Sequence, residues 1–404
     1  MLALDHACSD FDPFGADTRA DPYPAYAELR AAGPIIRLEK YGIFAVPSFA
    51  EVKAIFADHV NFSNAGGAGL ANYFKEKPWR PPSIVLEADP PLHTRTRKVL
   101  ARIMSPGAMR KLEDAFKAKA VALVDDLVEK GSFDAIRDLA EVFPLTVFPD
   151  ALGIDNEGRE NFLTYGAMVF AGMGPENDYF RSLMAHAPKV LPWVAAKCLR
   201  QALAPGSFGA QVYEAADTGE ITEEEAPLLV RSFLSAGLDT TISAIGMALY
   251  SLARHPQQWA ILAANPSLAR AAFDETLRYD SAAPYVFRTT PHETEVAGVP
   301  IGKHEKVLLL IASANRDDAR WGRADQFDIT RRVAGHIGFG TGIHGCVGQM
   351  VARLEGEAVL AALAGRVASI EIAGEPLYRD SSGLRALSSL PVRVVTQRSR
   401  RGSR

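Results

Sequence analysis

Apolar residues recur at helical spacing through most of this chain, and glycines and prolines mark where each helix should stop. Residues 1–20 read as irregular. Asp21-Pro22-Tyr23-Pro24 opens a short helix that Gly33-Pro34 ends. Ile35–Leu38 and Ile43–Val46 read as paired strands, and Ser48 with Glu51 forms a capping box that starts a helix reaching about Asp58. Residues 59–83 form a long loop, rich in glycine and then in proline. A helix begins near Leu92, and helical patterns run from Pro106 to about Pro205, broken at Gly131, Pro144, Pro149 and Gly172–Pro175. The longest pattern runs from Thr222 to Arg254, opens with a Thr222/Glu225 capping box and stops at His255-Pro256, about 50 Å at helical rise. It is apolar nearly all round, so it should cross the interior. A helix over Ser267–Tyr279 follows, then strand patterns over Tyr285–Val296 and Val307–Ile311 with a turn at Gly302. The predicted class is mainly α with small β-sheets: one domain over residues 1–397 and a basic, frayed tail at 398–404.

Composition narrows the picture. The chain has 404 residues, 48% of them apolar, ample for a large core, and a net charge of −4 carries no nucleic-acid footprint. Three distant cysteines, Cys8, Cys198 and Cys346, argue against a disulfide framework and for a reducing, cytoplasmic setting. The N-terminal stretch is acidic and lacks a long apolar run, so neither signal peptide nor membrane anchor is expected.

The densest chemistry lies in GHIGFGTGIHGCVG, Gly335 to Gly348. Five glycines precede Cys346, which suits a backbone that turns sharply or lies close against another group. A helical pattern follows, so Cys346 sits before a helix N-terminus, where the dipole favours a thiolate. A lone cysteine is most often a small buried hydrophobe. Zinc held by His336, His344 and Cys346 lacks a fourth ligand. A flat macrocycle against the loop accounts for the glycines.

Gly338-Phe339-Gly340-Thr341-Gly342-Ile343-His344-Gly345-Cys346-Val347-Gly348 resembles the haem-binding signature of the cytochromes P450. The resemblance implies a P450 fold with its long central helix over haem b, and Cys346 as axial iron ligand. It places Phe339, Gly340 and Gly348 against the cofactor and sends His344, His93, Arg97 and Arg288 to its propionates. In the long helix Ala236 and Gly237 would lie beside the haem, Gly237 leaving room for O2. Asp239 and Thr240 match the family's proton-delivering acid–alcohol pair, although a threonine can also bond back to the preceding turn and bend a helix. Glu275 and Arg278 match the family's structural Glu-x-x-Arg, with Arg331 as partner.

The family's activity is monooxygenation with O2, fed by NAD(P)H through a separate reductase and an iron–sulfur ferredoxin. Arg95, Lys98 and Arg102 are candidates for the ferredoxin contact. The strings KEKPWRPPS, LEADPP, EAPLLVRS-x-LSAGLDTT and CVGQ-x-VARLEGE resemble more narrowly the bacterial enzymes that demethylate para-methoxybenzoate and oxidise related para-substituted benzoates. That resemblance implies that Arg80, Ser83 and Ser232 receive a substrate carboxylate, with Arg231 near the entrance and Phe170 and Phe287 as apolar walls. Met173 and Val286 stand where that subfamily tends to place phenylalanine, which opens room for cinnamates or larger phenolic acids. A peroxide-driven haem enzyme or a haem-based sensor would dispense with the Asp239/Thr240 pair.

Overall fold

The computed structural model describes residues 7–397; the expected frayed tail lies outside them. Helices dominate. Those that position the site are α1 (Leu92–Ile103), α2 (Asn161–Ala171), α3 (Glu225–Ala236), α4 (Asp239–Arg254), α5 (Ala269–Tyr279) and α6 (Gln349–Ala364). One large apolar core, with Phe143, Phe162, Ile245, Leu252, Trp259, Phe273 and Leu360 fully or almost fully buried, joins these helices. Burial of such side chains, each worth about 1.5–3 kcal/mol, is what holds the helical body together.

A five-stranded sheet flanks it, built from β1 (Ala7–Ser9), β2 (Ile36–Leu38), β3 (Ile43–Val46), β4 (Val286–Thr289) and β5 (Lys306–Leu309), in the order β1-β2-β3-β5-β4. The β2/β3 hairpin and the β4/β5 pair are antiparallel; β3 and β5 run parallel, with Phe44 opposite Val307. A separate sheet places Pro391–Thr396 between Ser132–Asp134 and Val367–Ile372.

Several expectations change here. Residues 7–20 are not irregular: they hold β1 and a short helix, Ala16–Ala20. The helix after Ser48 forms, yet Ser48 makes no side-chain cap; the amide of Phe49 donates instead to Asp317 (2.9 Å). The box at Thr222 does close, Glu225 N to Thr222 Oγ1 at 3.3 Å and Thr222 N to Glu225 Oε2 at 2.9 Å. The long helix is interrupted at Gly237-Leu238, dividing into α3 and α4. Hydroxyls compete for the helix carbonyls at the break: Thr240 Oγ1 donates to Ala236 O (2.7 Å) and Thr241 Oγ1 to Gly237 O (3.4 Å). The expected strand Tyr285–Val296 is two strands, because Pro291 has no amide to continue the ladder. Its second half, Thr294–Val296, pairs with Val299–Ile301 across Ala297 and Gly298, both at positive φ, as a two-residue hairpin turn demands.

Candidate functional site

The Cys346 loop crosses the protein before α6. Gly342 shows why the loop needs glycine. Its φ is +70°, and a Cβ there would lie 2.1 Å from the carbonyl oxygen of Phe56. The Cys346 amide donates to Phe339 O (2.8 Å), closing the loop on itself. Burial pushes the Cys346 thiol up, while the backbone amides of Gly348 and Gln349 and the guanidinium groups of Arg97 and Arg353 pull the other way. Gly348 lies beside the sulfur, its missing Cβ 3.9 Å away, and Arg353 stacks 4.4 Å over the ring of Phe339. Residues 338–350 all keep accessible surface between the buried Ile337 and Val351, so the loop borders an opening.

Four basic side chains gather at that opening. The rings of His93 and His344 lie 4.3 Å apart. Neither nitrogen of His93, nor Nε2 of His344, reaches a hydrogen-bond partner, though all three are buried. Arg288, 4% exposed, donates to its neighbour's carbonyl, Phe287 O (2.8 Å), and has no ion-pair partner among the described residues. Burial pulls Arg288 down to about 10. Burial, then Arg288, His93 and Arg97, pulls His344 down to about 3. Burial also lowers Arg97, against the opposing pull of Cys346. With both imidazoles pushed towards the neutral form, the charge here is that of Arg97 and Arg288, and two largely buried guanidinium groups without a carboxylate are costly unless an anion sits beside them.

Ala236, the last residue of α3, is exposed although Phe233, Leu234, Leu238 and Asp239 around it are buried. Thr240 is on the same face. Asp239 is 2% exposed; its Oδ1 accepts from Arg379 Nη1 (2.6 Å) and its Oδ2 has no partner. Arg379, 140 residues away, left no signal in the sequence that could have paired it with Asp239. Gly237 has a packing reason of its own. A Cβ there would meet the Phe148 ring at 2.2 Å, so the glycine makes room for that ring.

Glu275 and Arg278 are fully buried rather than the surface pair their spacing alone suggests. Arg278 donates to both Glu275 oxygens (2.7 and 2.8 Å) and to the carbonyls of Asn315, Ala324 and Gln326. Arg331 Nε lies 3.5 Å from Glu275 Oε1, and its other nitrogens donate to Gly322, Arg323 and Gln326 carbonyls.

The residues expected at a substrate carboxylate converge at the start of α1 and the outer part of α3. Ser83 Oγ is 3.4 Å from Ser232 Oγ. Arg80 Nη1 and Arg231 Nη2 both donate to Pro81 O, at 3.1 and 2.9 Å. Arg80 is not the free cation anticipated: Glu87 takes Nη1 and Nη2 at 3.0 and 3.2 Å. Sequence reasoning quoted LEADPP but gave its glutamate no role. Apolar Phe170, Met173 and Val286 are half-buried, and Phe287 is fully buried in β4. Met173 O accepts from Leu70 N (2.8 Å), which joins the end of α2 to the glycine-rich loop. Lys306 holds the base of that loop through Gly66 O, Gly67 O and Thr289 Oγ1 (3.2, 2.8 and 3.1 Å).

On the surface, Arg95 forms a bidentate pair with Glu225 (2.7 Å each) and Arg102 pairs with Glu220. Two of the three candidate ferredoxin contacts are therefore already neutralised, leaving Lys98. One run, Glu225–Arg254, is long and apolar enough to cross a membrane; 61% of its most apolar window is buried inside the fold, as a core helix would be.

These surroundings fit the haem that the glycine loop implies. Cys346 offers a sulfur, the four basic groups ask for carboxylates, and the exposed Ala236 face leaves space opposite. Zinc fits less well: among the described residues no three His, Cys, Asp or Glu side chains come together as metal ligands.

Comparison with known proteins agrees with this chemistry. Residues 204–364 match the family model described as Cytochrome P450. The chain is 53% identical over 385 residues to cytochrome P450 CYP199A2 of Rhodopseudomonas palustris, covering 95% of this chain and 93% of that protein. It is 31% identical to the vitamin D(3) 25-hydroxylase of Pseudonocardia autotrophica, covering 94% and 96%. Among solved structures, cytochrome P450 CREJ in complex with (4-ethylphenyl) dihydrogen phosphate superposes with a TM-score of 0.84 at 28% identity, covering 96% of this chain and all of that one.

Proposed function

The chain belongs to the cytochrome P450 family and is a monooxygenase of that family; from this premise we propose that it oxidises para-substituted aromatic carboxylic acids, foremost the O-demethylation of para-methoxybenzoate. The observation that carries the reading is the meeting of two hydroxyls and two guanidinium groups, Ser83, Ser232, Arg80 and Arg231, where the Arg80–Ser83 segment packs on α3. A carboxylate leaving water needs charge-assisted or hydroxyl donors, and here they converge.

Haem bound through Cys346 supplies activation of O2 by one-electron steps, the hard chemistry of the reaction. The chain's own residues do the rest. His93, Arg97, Arg288 and His344 would hold the two propionates, the two guanidinium groups as counter-charges and the two imidazoles as hydrogen-bond donors. The Gly348 and Gln349 amides favour the thiolate form at the Cys346 sulfur, against the burial that pushes the thiol up. Asp239, with Oδ2 unpartnered and Oδ1 on Arg379, holds a proton-transfer group in the protein interior, and the Thr240 hydroxyl stands one residue on, facing the opening. Ser83 and Ser232 orient the acid so that the para substituent points away from them, and Phe170, Met173 and Val286 exclude water from the ring. Hydroxylation of the methoxy carbon gives a hemiacetal that collapses to the phenol and formaldehyde. One O2, two electrons and two protons are consumed, and the second oxygen leaves as water. The electrons come from NAD(P)H through a separate reductase and ferredoxin.

A second reading has its own observation. Met173 and Val286 leave two wall positions without aromatic bulk, which suits cinnamates and larger phenolic acids.

The test is an optical titration of the ferric protein with para-methoxybenzoate, followed by product analysis. The proposal expects a saturable low-to-high-spin change, abolished or strongly weakened in Arg231→Ala, and formaldehyde equimolar with phenol. A thiolate-type haem spectrum with no response to the acid would end the substrate reading.

A further inference from the structure

Glu87 lies just before α1, with its side chain 3% exposed. Its carboxylate is fully engaged. Oε2 accepts from Arg80 Nη1 (3.0 Å) and from the Ser83 amide (2.7 Å); Oε1 accepts from Arg80 Nη2 (3.2 Å) and from the Tyr73 hydroxyl (3.2 Å). This fork-to-fork contact fixes the plane of the Arg80 guanidinium. Nη1 also serves Pro81 O, which leaves Nε–H, buried and without a partner, and the second N–H of Nη2. The same carboxylate anchors the backbone of Ser83. Ser83 Oγ accepts from the amide of Leu86 (3.1 Å) and faces Ser232 Oγ, leaving its own proton to give.

The electrostatic consequence concerns which anions the pocket accepts. Arg80 and Arg231 share the carbonyl of Pro81, which holds the two guanidinium groups within roughly 6 Å, close enough to act as one field. Arg231 donates to Pro81 and Pro82 carbonyls and meets no carboxylate at ion-pair distance among the described residues. Glu87 cancels one of the two charges, so the group carries a single net positive charge. Lys306, the next cation towards Glu87, faces Gly66, Gly67 and Thr289, and burial pulls it down to about 7. A monocarboxylate therefore completes the charge of the group, whereas a dianion leaves a buried negative charge without a partner.

We propose that Glu87 is the positioning residue that sets the pocket's preference for singly charged aromatic acids, by fixing the Arg80 guanidinium so that only Nε–H and the second Nη2–H are on offer and by cancelling its charge. This rests on the carboxylate-binding reading above. Arg231, not Arg80, then carries the charge that a bound acid neutralises.

The experiment compares para-methoxybenzoate with para-methoxyphenyl phosphate, a dianion at pH 8, by spin-state titration of the holoenzyme at that pH. Wild type should bind the benzoate more tightly than the phosphate. In Glu87→Gln that ratio should fall by about tenfold or more, as one added buried positive charge favours the dianion. In the double variant Arg80→Gln/Glu87→Gln the net charge is restored, so the ratio should return to within about threefold of wild type even though affinity for both falls. A purely structural Glu87 would weaken both ligands alike and leave the ratio unmoved, and that result in Glu87→Gln overturns the proposal. If Glu87→Gln does not retain haem, the double variant decides alone: a ratio shifted towards the dianion there also overturns it. A wild type that answers to neither ligand sinks the substrate reading and this inference together, whereas benzoate binding with an unmoved ratio sinks only the inference.

Discussion

Replacing Glu275 by alanine should come close to unfolding the protein, and the arithmetic can be set out. In the structure Glu275 and Arg278 both have side chains with no exposure. Arg278 directs Nε and Nη2 to the carboxylate and its remaining donors to three backbone carbonyls from the segment 315–326. Glu275 Oε1 also accepts from the Asp328 amide (2.9 Å). Removing the carboxylate leaves a buried guanidinium without its counter-charge, a loss of about 3–5 kcal/mol. The orphaned Asp328 amide adds roughly 1–3 kcal/mol. Against a total stability of about 5–15 kcal/mol for a folded domain, the variant should be marginal at best. The assay is urea unfolding followed by far-UV circular dichroism, with retention of the haem absorbance as a second probe. Glu275→Leu/Arg278→Met, which removes both charges, should lose less than the two single variants summed, with a coupling of at least ~2 kcal/mol. A loss below ~1 kcal/mol in Glu275→Ala, the range of exposed pairs, would refute the reasoning.

Three further outcomes follow from the geometry. Glu355 is fully buried with neither oxygen partnered, and burial raises it well above its ordinary 4.5. The folded state thus keeps a proton that the unfolded chain releases above 4.5, and wild type should lose stability relative to Glu355→Gln as pH rises from 5 to 8; parallel slopes in urea midpoints would count against it. Gly342→Ala should cost more than ~1 kcal/mol and lower haem occupancy, because a positive φ and a clash with the Phe56 carbonyl coincide there; unchanged thermal unfolding and haem content would contradict it. Asp239→Asn should slow turnover by about 10²-fold or more while leaving the acid-induced spin change in place, since it removes a proton-relaying carboxylate and no substrate contact; a steady-state rate equal to wild type would dismiss that role.

The local patterns determined a good deal. Strands β2 and β3, the α1 and α6 helices, the capping box at Thr222 and the turn-rich loop before Cys346 all depend on neighbours a few residues away, and such signals are legible in a chain. The haem-thiolate signature is equally local, which is why the family could be read from eleven consecutive residues. What only the tertiary structure decided depends on residues far apart in sequence. Arg379 meets Asp239 across 140 positions, and Phe148 occupies the space left by Gly237. Glu275 and Arg278 look like a surface pair by spacing, and only packing of the 315–328 segment over them makes them a buried one. Arg80 reads as a free loop cation, but the fold brings Glu87 onto it from seven residues away, across a proline-rich turn whose course no periodicity predicts. Charge compensation depends on distance in space, and that is set by how the loops pack on the helices rather than by the order of residues along the chain.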